Sequence, residues 1–396
     1  MSLRPDEKIK MNKKFAIAII AVFCTGFWAF AQDAENPTRD TVIFSGQMSM
    51  LGNFNFKNKM PLQFIGRYIP QLDYGILFPV DRKLDFEVSA DLHGAVAFSF
   101  VDTVYRDGSV EPYRIWTRFS SRQWEVRLGL QKINFGSASL LRPLMWFDQI
   151  DPRDPLQITS GVWGLLFRYY FKNNANLWFW GLYGNNKSRP WDIGKTYSKY
   201  PECGGRLQIP VPKGEIGLSS HFRMADLRDF DNILPGMKEV PESRIGLDAK
   251  WDLGAGIWLE GTWINKSKMA GIYTNQEIFN IGVDNTFRIG NGLTMIFEQL
   301  LVSNDEHAFG FRNNKWFSAL SLSYPLGLSD NLGAIVYFEW ENKKSYNFIN
   351  WNHRFQYFTL YLMGYWNPDE FYLPLQASYS TSYSGPGIQV MLVYNH

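Results

Sequence analysis

Hydrophobic and polar residues alternate along most of this chain with a period of two. Over residues 84–100, Leu84, Phe86, Val88, Ala90, Leu92, Val96, Phe98 and Phe100 fall on one parity, and Asp85, Glu87, Ser89, Asp91, His93 and Ser99 on the other. In 244–253, Ile245, Leu247, Ala249, Trp251 and Leu253 oppose Arg244, Asp248, Lys250 and Asp252. In 279–289, Phe279, Ile281, Val283, Phe287 and Ile289 oppose Asn280, Asp284, Thr286 and Arg288. In 331–341, Leu332, Ala334, Val336, Phe338 and Trp340 oppose Asn331, Glu339 and Glu341. Successive strand side chains point to opposite faces, so each run predicts a strand with one apolar and one polar wall. Turn-forming groups separate the runs: Asp107-Gly108, Lys213-Gly214, Gly290-Asn291-Gly292 and Ser329-Asp330-Asn331. No amphipathic helical repeat interrupts them for long.

Soluble propellers and sandwiches also alternate. This chain lacks a blade-length repeat, and a run as long as 84–100 exceeds the usual soluble strand of about 3–10 residues. Aromatic residues recur at the ends of runs, at Trp124, Trp251, Trp316 and Trp340. The pattern predicts an all-β fold, a single-domain transmembrane antiparallel β-barrel. At about 20 residues per strand and connection, it has roughly 16–18 strands. The last run, 387–396, puts Ile388, Val390, Leu392 and Tyr394 on its apolar face. It resembles the C-terminal strand recognised by the barrel-assembly machinery, although that pattern ends in an aromatic residue and this chain ends in His396.

The first residues follow another rule. Lys13 and Lys14 precede an apolar run, Phe15 to Cys24, and Ala29-Phe30-Ala31 is an A-x-A cleavage site. Residues 1–31 are therefore expected to be an N-terminal extension and a cleaved signal peptide, with Met11 the natural start and 32–396 the barrel. The apolar run is short for a spanning helix, which needs roughly 20 residues. A lipoprotein signal does not fit, because the bulky Phe23 precedes Cys24. Residues 1–31 contain five cations (Arg4, Lys8, Lys10, Lys13, Lys14) and two anions (Asp6, Glu7), which leaves 35 Lys+Arg against 36 Asp+Glu. No global basic field attracts nucleic acid. Cys203 is the single cysteine of the mature chain, so neither an internal disulfide nor a thiolate metal cluster is expected. No cofactor and no metal site is implied. Aromatics reach 17%, with 15 Trp, which suits interfacial girdles.

If the apolar parity meets lipid, the polar parity lines the lumen. The expected pore-lining residues are Arg114, Arg118, Arg127, Arg168, Arg206, Arg223, Glu125, Asp85, Glu87 and Asp91, with Glu215 beside them. Later runs add Arg244, Lys250, Glu260, Arg288, Glu298, Glu339 and Glu341. Arginines are denser before residue 225 and acids after 248, which predicts a basic wall facing an acidic one. Salt-bridged pairs filling a plugged lumen are the alternative.

Residues 134–160 break the alternation. Pro143, Pro152 and Pro155 exclude a central strand. Leu140, Leu141, Leu144, Met145, Trp146 and Phe147 are too apolar for a solvated loop. The segment is expected to fold into the lumen, where Arg142, Asp148, Asp151, Arg153 and Asp154 would pair with wall charges. An ordinary structural latch is the other reading.

The stretch GLQKINFG followed by RPLMWFDQIDPRD, about 127–155, resembles a motif of the porin-like families that include alginate-export and phosphate-selective barrels. There a strand ending in G-x-Q leads into a pore-side segment with an Asp-Pro step. The resemblance implies a substrate-conducting barrel of the Gram-negative outer membrane and names no substrate. No lysine or arginine ladder here matches the phosphate type.

The expected function is thus a channel passing small polar or anionic solutes or oligosaccharides. The alternative is a non-conducting barrel subunit of an export or secretion complex. An outer-membrane enzyme is a third possibility, but His93, His221, His307 and His353 sit in no recognisable nucleophile motif. Expected partners are outer-membrane lipid and lipopolysaccharide, the assembly machinery, and further copies of the chain or other membrane proteins.

Overall fold

The computed structural model describes residues 41–58, 60–99, 104–369, 373 and 383–396. The expected signal segment 1–31 and Phe100 lie outside these. The strands are β1 (Thr41–Asn55), β2 (Leu62–Phe78), β3 (Arg82–Phe98), β4 (Val104–Ser120), β5 (Trp124–Gln131), β6 (Val162–Tyr170), β7 (Asn176–Leu182), β8 (Lys195–Thr196), β9 (Glu202–Val211) and β10 (Gly214–Asp226). They continue as β11 (Glu239–Asp252), β12 (Gly256–Lys266), β13 (Asn275–Phe287), β14 (Leu293–Asp305), β15 (Asn313–Pro325), β16 (Asp330–Glu339), β17 (Lys344–Arg354), β18 (Phe358–Trp366) and β19 (Pro386–Asn395).

Neighbours in sequence pair antiparallel, and β1 closes the ring against β19 with Gln47 opposite Asn395 and Asn55 opposite Gly387. The two-residue β8 only extends the rim beside β10, which leaves a closed barrel of 18 strands. The period-two faces are therefore read correctly from sequence. Leu247 and Ile281 are 53% and 52% exposed, whereas Asp248 and Asn280 between them are buried. A closed ring has no unpaired edge to hide from lipid. Its apolar outer face replaces water contact with acyl chains, the arrangement of bacterial outer-membrane barrels.

Connections sort by end. The turns after β2, β4, β6, β9, β11, β13, β15 and β17 are short, and both β1 and β19 have their free ends on that side. The connections after β5, β7 and β18 span 132–161, 183–201 and 367–385, all on the other side. Short turns at one rim and long loops at the other set the periplasmic and extracellular ends of such barrels. Aromatic clusters mark both rims. Phe119 meets Phe78 and Trp124 on the short-turn side, and Trp263, Phe309, Phe311 and Phe279 form a chain on the other.

One sequence reading fails here. Asp107-Gly108 is not a turn but lies inside β4, opposite Ala95 and Gly94. The β3–β4 ribbon runs on past the residues that β5 pairs with, and its β4 residues 104–112 are exposed on both faces. A solvated ribbon does not penalise turn-type residues as a buried strand would.

Candidate functional site

The 132–161 connection runs into the barrel. In β5, which leads into it, Gly129 has a φ of 125°, and a Cβ there would sit 2.1 Å from the Ile115 carbonyl oxygen. Leu140, Leu141, Leu144, Met145, Trp146 and Phe147 are all buried. They divide between two apolar clusters. One joins Leu140, Leu141 and Met145 to Ile278, Leu300, Phe317 and Tyr337 of the opposite wall. The other joins Ile133, Phe135, Leu144, Trp146 and Phe147 to Leu166, Trp180 and Leu182.

Two wall carboxylates hold the segment's backbone. Glu260 on β12 accepts from the amides of Ser137 at 2.7 Å, Ala138 at 2.9 Å and Leu144 at 2.8 Å. Glu298 on β14 accepts from Ser139 at 2.6 Å, Leu140 at 3.1 Å and Leu141 at 2.5 Å. Between them, Asn280 donates to the Leu141 carbonyl at 2.8 Å. An irregular segment cannot satisfy its own amides, and a buried amide must have a partner. These carboxylates supply six. On the facing side, the buried Arg114 donates to the Thr159 carbonyl at 2.9 Å.

The segment's own charges pair with each other rather than with the wall, contrary to the sequence expectation. Arg142 bridges Asp148 at 3.0 Å, and Arg153 binds Asp151 through two bonds of 2.7 and 2.6 Å. Asp154 accepts from the amides of Leu156 and Ile158, and burial pushes its carboxyl above the usual range. Local turns bring these partners together before any wall group is reached. Arg153 also stacks its guanidinium 5.0 Å from the Tyr383 ring.

The wall charges fall into three groups. On β3–β6, toward the short-turn end, Arg118 bridges Asp85 at 2.7 Å. Arg118, Arg127 and Arg168 share one carboxylate, Glu125, at 3.7, 4.0 and 3.2 Å. Their side chains keep 29%, 16% and 18% exposure. Trp116 lies under Arg127 at 4.6 Å and Trp178 under Arg168 at 3.9 Å. With Lys83, Arg114, Glu87 and its neighbour Asp73 included, this wall has one more cation than anions. Asp91 is paired with Arg67 at 3.1 Å.

The second group is buried. Arg206 binds Asp248 at 2.5 and 2.9 Å, and Arg223 binds Glu242 at 2.6 Å and Asp192 at 3.1 Å. Acids on the far wall make up the third, and they do not form a free acidic face. Glu260 and Glu298 are occupied by amides, and Glu339 accepts from Asn342 and Tyr346. Arg288 and Glu341 belong to connections, not to the inner wall.

Sequence reasoning missed two features. The 183–201 loop also turns inward, burying Trp191, whose indole donates to the Arg142 carbonyl at 2.7 Å, and Asp192. Its signal was the same as that of the first segment, a proline beside a large aromatic at Pro190-Trp191. The tryptophans beneath the arginines carried no signal, since a lone Trp on a strand reads as girdle. Of the candidate histidines, His221 is buried between Trp180 and Glu202. Among the described residues, no group of three or more His, Cys, Asp or Glu side chains could hold a metal ion.

No family model matches the chain, and no curated protein does. Among solved structures, it is similar to OccD3 (OpdP) of Pseudomonas aeruginosa, with a TM-score of 0.55 at 9% identity over 89% of this chain and 91% of that one. OccAB4 of Acinetobacter baumannii gives 0.48 at 11% identity, over 91% and 100%. The anion-selective porin of Comamonas acidovorans gives 0.45 at 13%, over 90% and 100%. The first likeness is one of fold, a closed β-barrel.

Proposed function

We propose that this protein is an outer-membrane channel for small polar solutes, with a preference for anions set by Arg118, Arg127 and Arg168. The observation that carries the reading is their shared geometry. Three guanidiniums, each partly open to the lumen, converge on the single carboxylate of Glu125. Two of them lie over indole rings that fix their planes. Charges focused in a narrow low-dielectric tube attract counter-charge more strongly than the same groups in water. Glu125 and Asp85 offset part of the field, so the preference is moderate. The inward segment, anchored across the lumen, would set the size limit.

The test is the reversal potential of the purified barrel in a planar bilayer under a salt gradient. Neutralising Arg127 and Arg168 to Gln should move it toward cation selectivity, most at low ionic strength, where screening is weak. An unchanged potential removes these arginines from the conduction path. The segment's packing also favours a second reading, a sealed barrel acting as a subunit of an export complex, which predicts no conductance at all. Export through the signal at 1–31 belongs to either reading, and the intact mass of the mature protein, beginning at Gln32, tests it.

A further inference from the structure

The barrel wall is uneven on the long-loop side. β5 pairs with β4 only from Ile115 to Ser120 and then gives way to the inward segment. A tilted membrane strand needs about 9–11 residues. Counted from the short-turn end at Ser120, the stretch 111–120 already supplies that, so 104–110 projects past the bilayer together with the end of β3. Among the described residues, no strand pairs with the β5-side edge of 104–112.

The other flank of the same dip in the wall is closed. β9 pairs with β10 only as far as Phe222, and the two-residue β8 takes over beside Ala225 and Asp226. An uncovered edge is a row of unpaired amides and carbonyls, which folded chains normally cover or blunt. Here the chain covers one edge itself and leaves the facing one open, with Pro112 blunting only its lower end.

Two observations show which groups the open edge presents. Pro112 has no N–H, and the Gly108 amide donates at 2.9 Å to the carboxylate of Asp107 beside it. Both put even-numbered nitrogens on the free side. Backbone groups alternate sides along an antiparallel strand, so Val104, Arg106, Gly108 and Val110 turn their N–H and C=O toward the missing neighbour. Side chains alternate too. Tyr105, Asp107, Ser109 and Glu111 lie opposite Ala97, Ala95, His93 and Asp91, and so continue the lumen-side row of β3. Val104, Arg106 and Val110 form the outer row. Lys187 of the 183–201 loop reaches Glu111 at 2.6 Å, with both side chains 53% exposed. A cation is thus accommodated beside this edge, in a pair weak enough to be exchanged.

We propose that the β4 edge at 104–111 docks an extended segment of a partner protein by strand addition. A polypeptide main chain supplies donors and acceptors at the spacing of a strand. Asp107 and Glu111 call for basic residues on the lumen side of that segment, and Val104 and Val110 for apolar ones on its outer side. Docking here does not depend on conduction, so it stands or falls apart from the channel reading.

The probe is the peptide acetyl-Val-Lys-Val-Lys-Val-Lys-Val-amide, added to the purified full-length barrel in neutral detergent and followed by hydrogen exchange. Saturable protection at 104–112 is expected, with exchange slowed about tenfold near saturation. The same peptide N-methylated at every residue keeps its side chains and loses its donors, and should protect nothing. With Glu in place of Lys, binding should be about three- to tenfold weaker. Asp107→Lys/Glu111→Lys should reverse that order, which general stickiness would not. Gly108→Pro removes an edge donor and should abolish the protection, and if it disturbs the ribbon the charge reversal still decides. Equal protection by the N-methylated peptide, or protection elsewhere in the barrel but not at 104–112, would overturn the proposal. So would an unchanged order in the charge-reversed variant, or no saturable binding to the wild type.

Discussion

The anchoring of the inward segment predicts how it can be released. Glu260 and Glu298 each accept three backbone amides, and Gln is the isosteric change that keeps the volume and removes the charge. At Glu298, one oxygen serves Ser139 and Leu140 and the other serves Leu141. Gln keeps one acceptor oxygen, so at least one amide meets a donor, and the bonds that remain lose their charge assistance. With bonds to charged groups contributing about 1.5–3 kcal/mol and neutral ones about 0.5–1.5, the loss is roughly 3–5 kcal/mol per carboxylate. The six buried apolar side chains of 140–147 contribute about 9–18 kcal/mol in the opposite direction. Packing therefore wins in either single variant, and the segment stays seated. Its transiently open fraction should still rise by roughly two to four orders of magnitude per site. Trypsin reads this directly at Arg153, which is buried in the seated segment and followed by Asp154, whereas the Arg142–Pro143 bond resists the protease. Cleavage after Arg153 should accelerate in each single variant and most in Glu260→Gln/Glu298→Gln, with heat-modifiable gel mobility unchanged. A double variant cut no faster than the wild type would refute the view that these carboxylates hold the segment.

Arg substitution at Leu247 or Val283 should impair assembly by about 2–4 kcal/mol, read as loss of heat-modifiable mobility, because both face lipid. Arg at Asp284 should be tolerated, since that carboxylate is 37% exposed, whereas Arg at Asp248 should not, because it would face the buried Arg206. Arg206→Gln leaves Asp248 buried and unpaired, at a cost of about 3–5 kcal/mol, and should lower the denaturation temperature on gels. At Gly246, a Cβ would lie 2.3 Å from Leu144 Cδ2 and 3.0 Å from the Trp146 ring, so Gly246→Leu should displace the segment and raise single-channel conductance without preventing assembly.

The strands were legible because a lipid-facing side chain and a lumen-facing one differ in chemistry at every step. Leu247 against Asp248 and Ile281 against Asn280 needed no tertiary information. The inward course of 134–160 was legible for a related reason, since prolines bar it from the sheet and Leu141 or Trp146 cannot remain in water. What each inner charge does was not legible. Glu260 reads as a pore-lining acid, yet it serves amides more than a hundred residues away in sequence. Arg206 reads as one more lumen cation, but strand register places Asp248 two strands along at bonding distance. Parity decides which way a side chain points. Pairing across the lumen is decided by barrel closure and by where two loops enter, and neither is written in local pattern. The 183–201 loop was missed because its polar residues masked Trp191, whose partner, the Arg142 carbonyl, lies on another connection.

The channel reading meets its most direct test in the single-channel current of the purified, heat-modifiable wild-type barrel in a planar bilayer. Discrete conductance steps are expected, with a reversal potential displaced to the anion side in a salt gradient. A correctly assembled barrel that inserts but passes no current would contradict the account and leave the sealed subunit in its place.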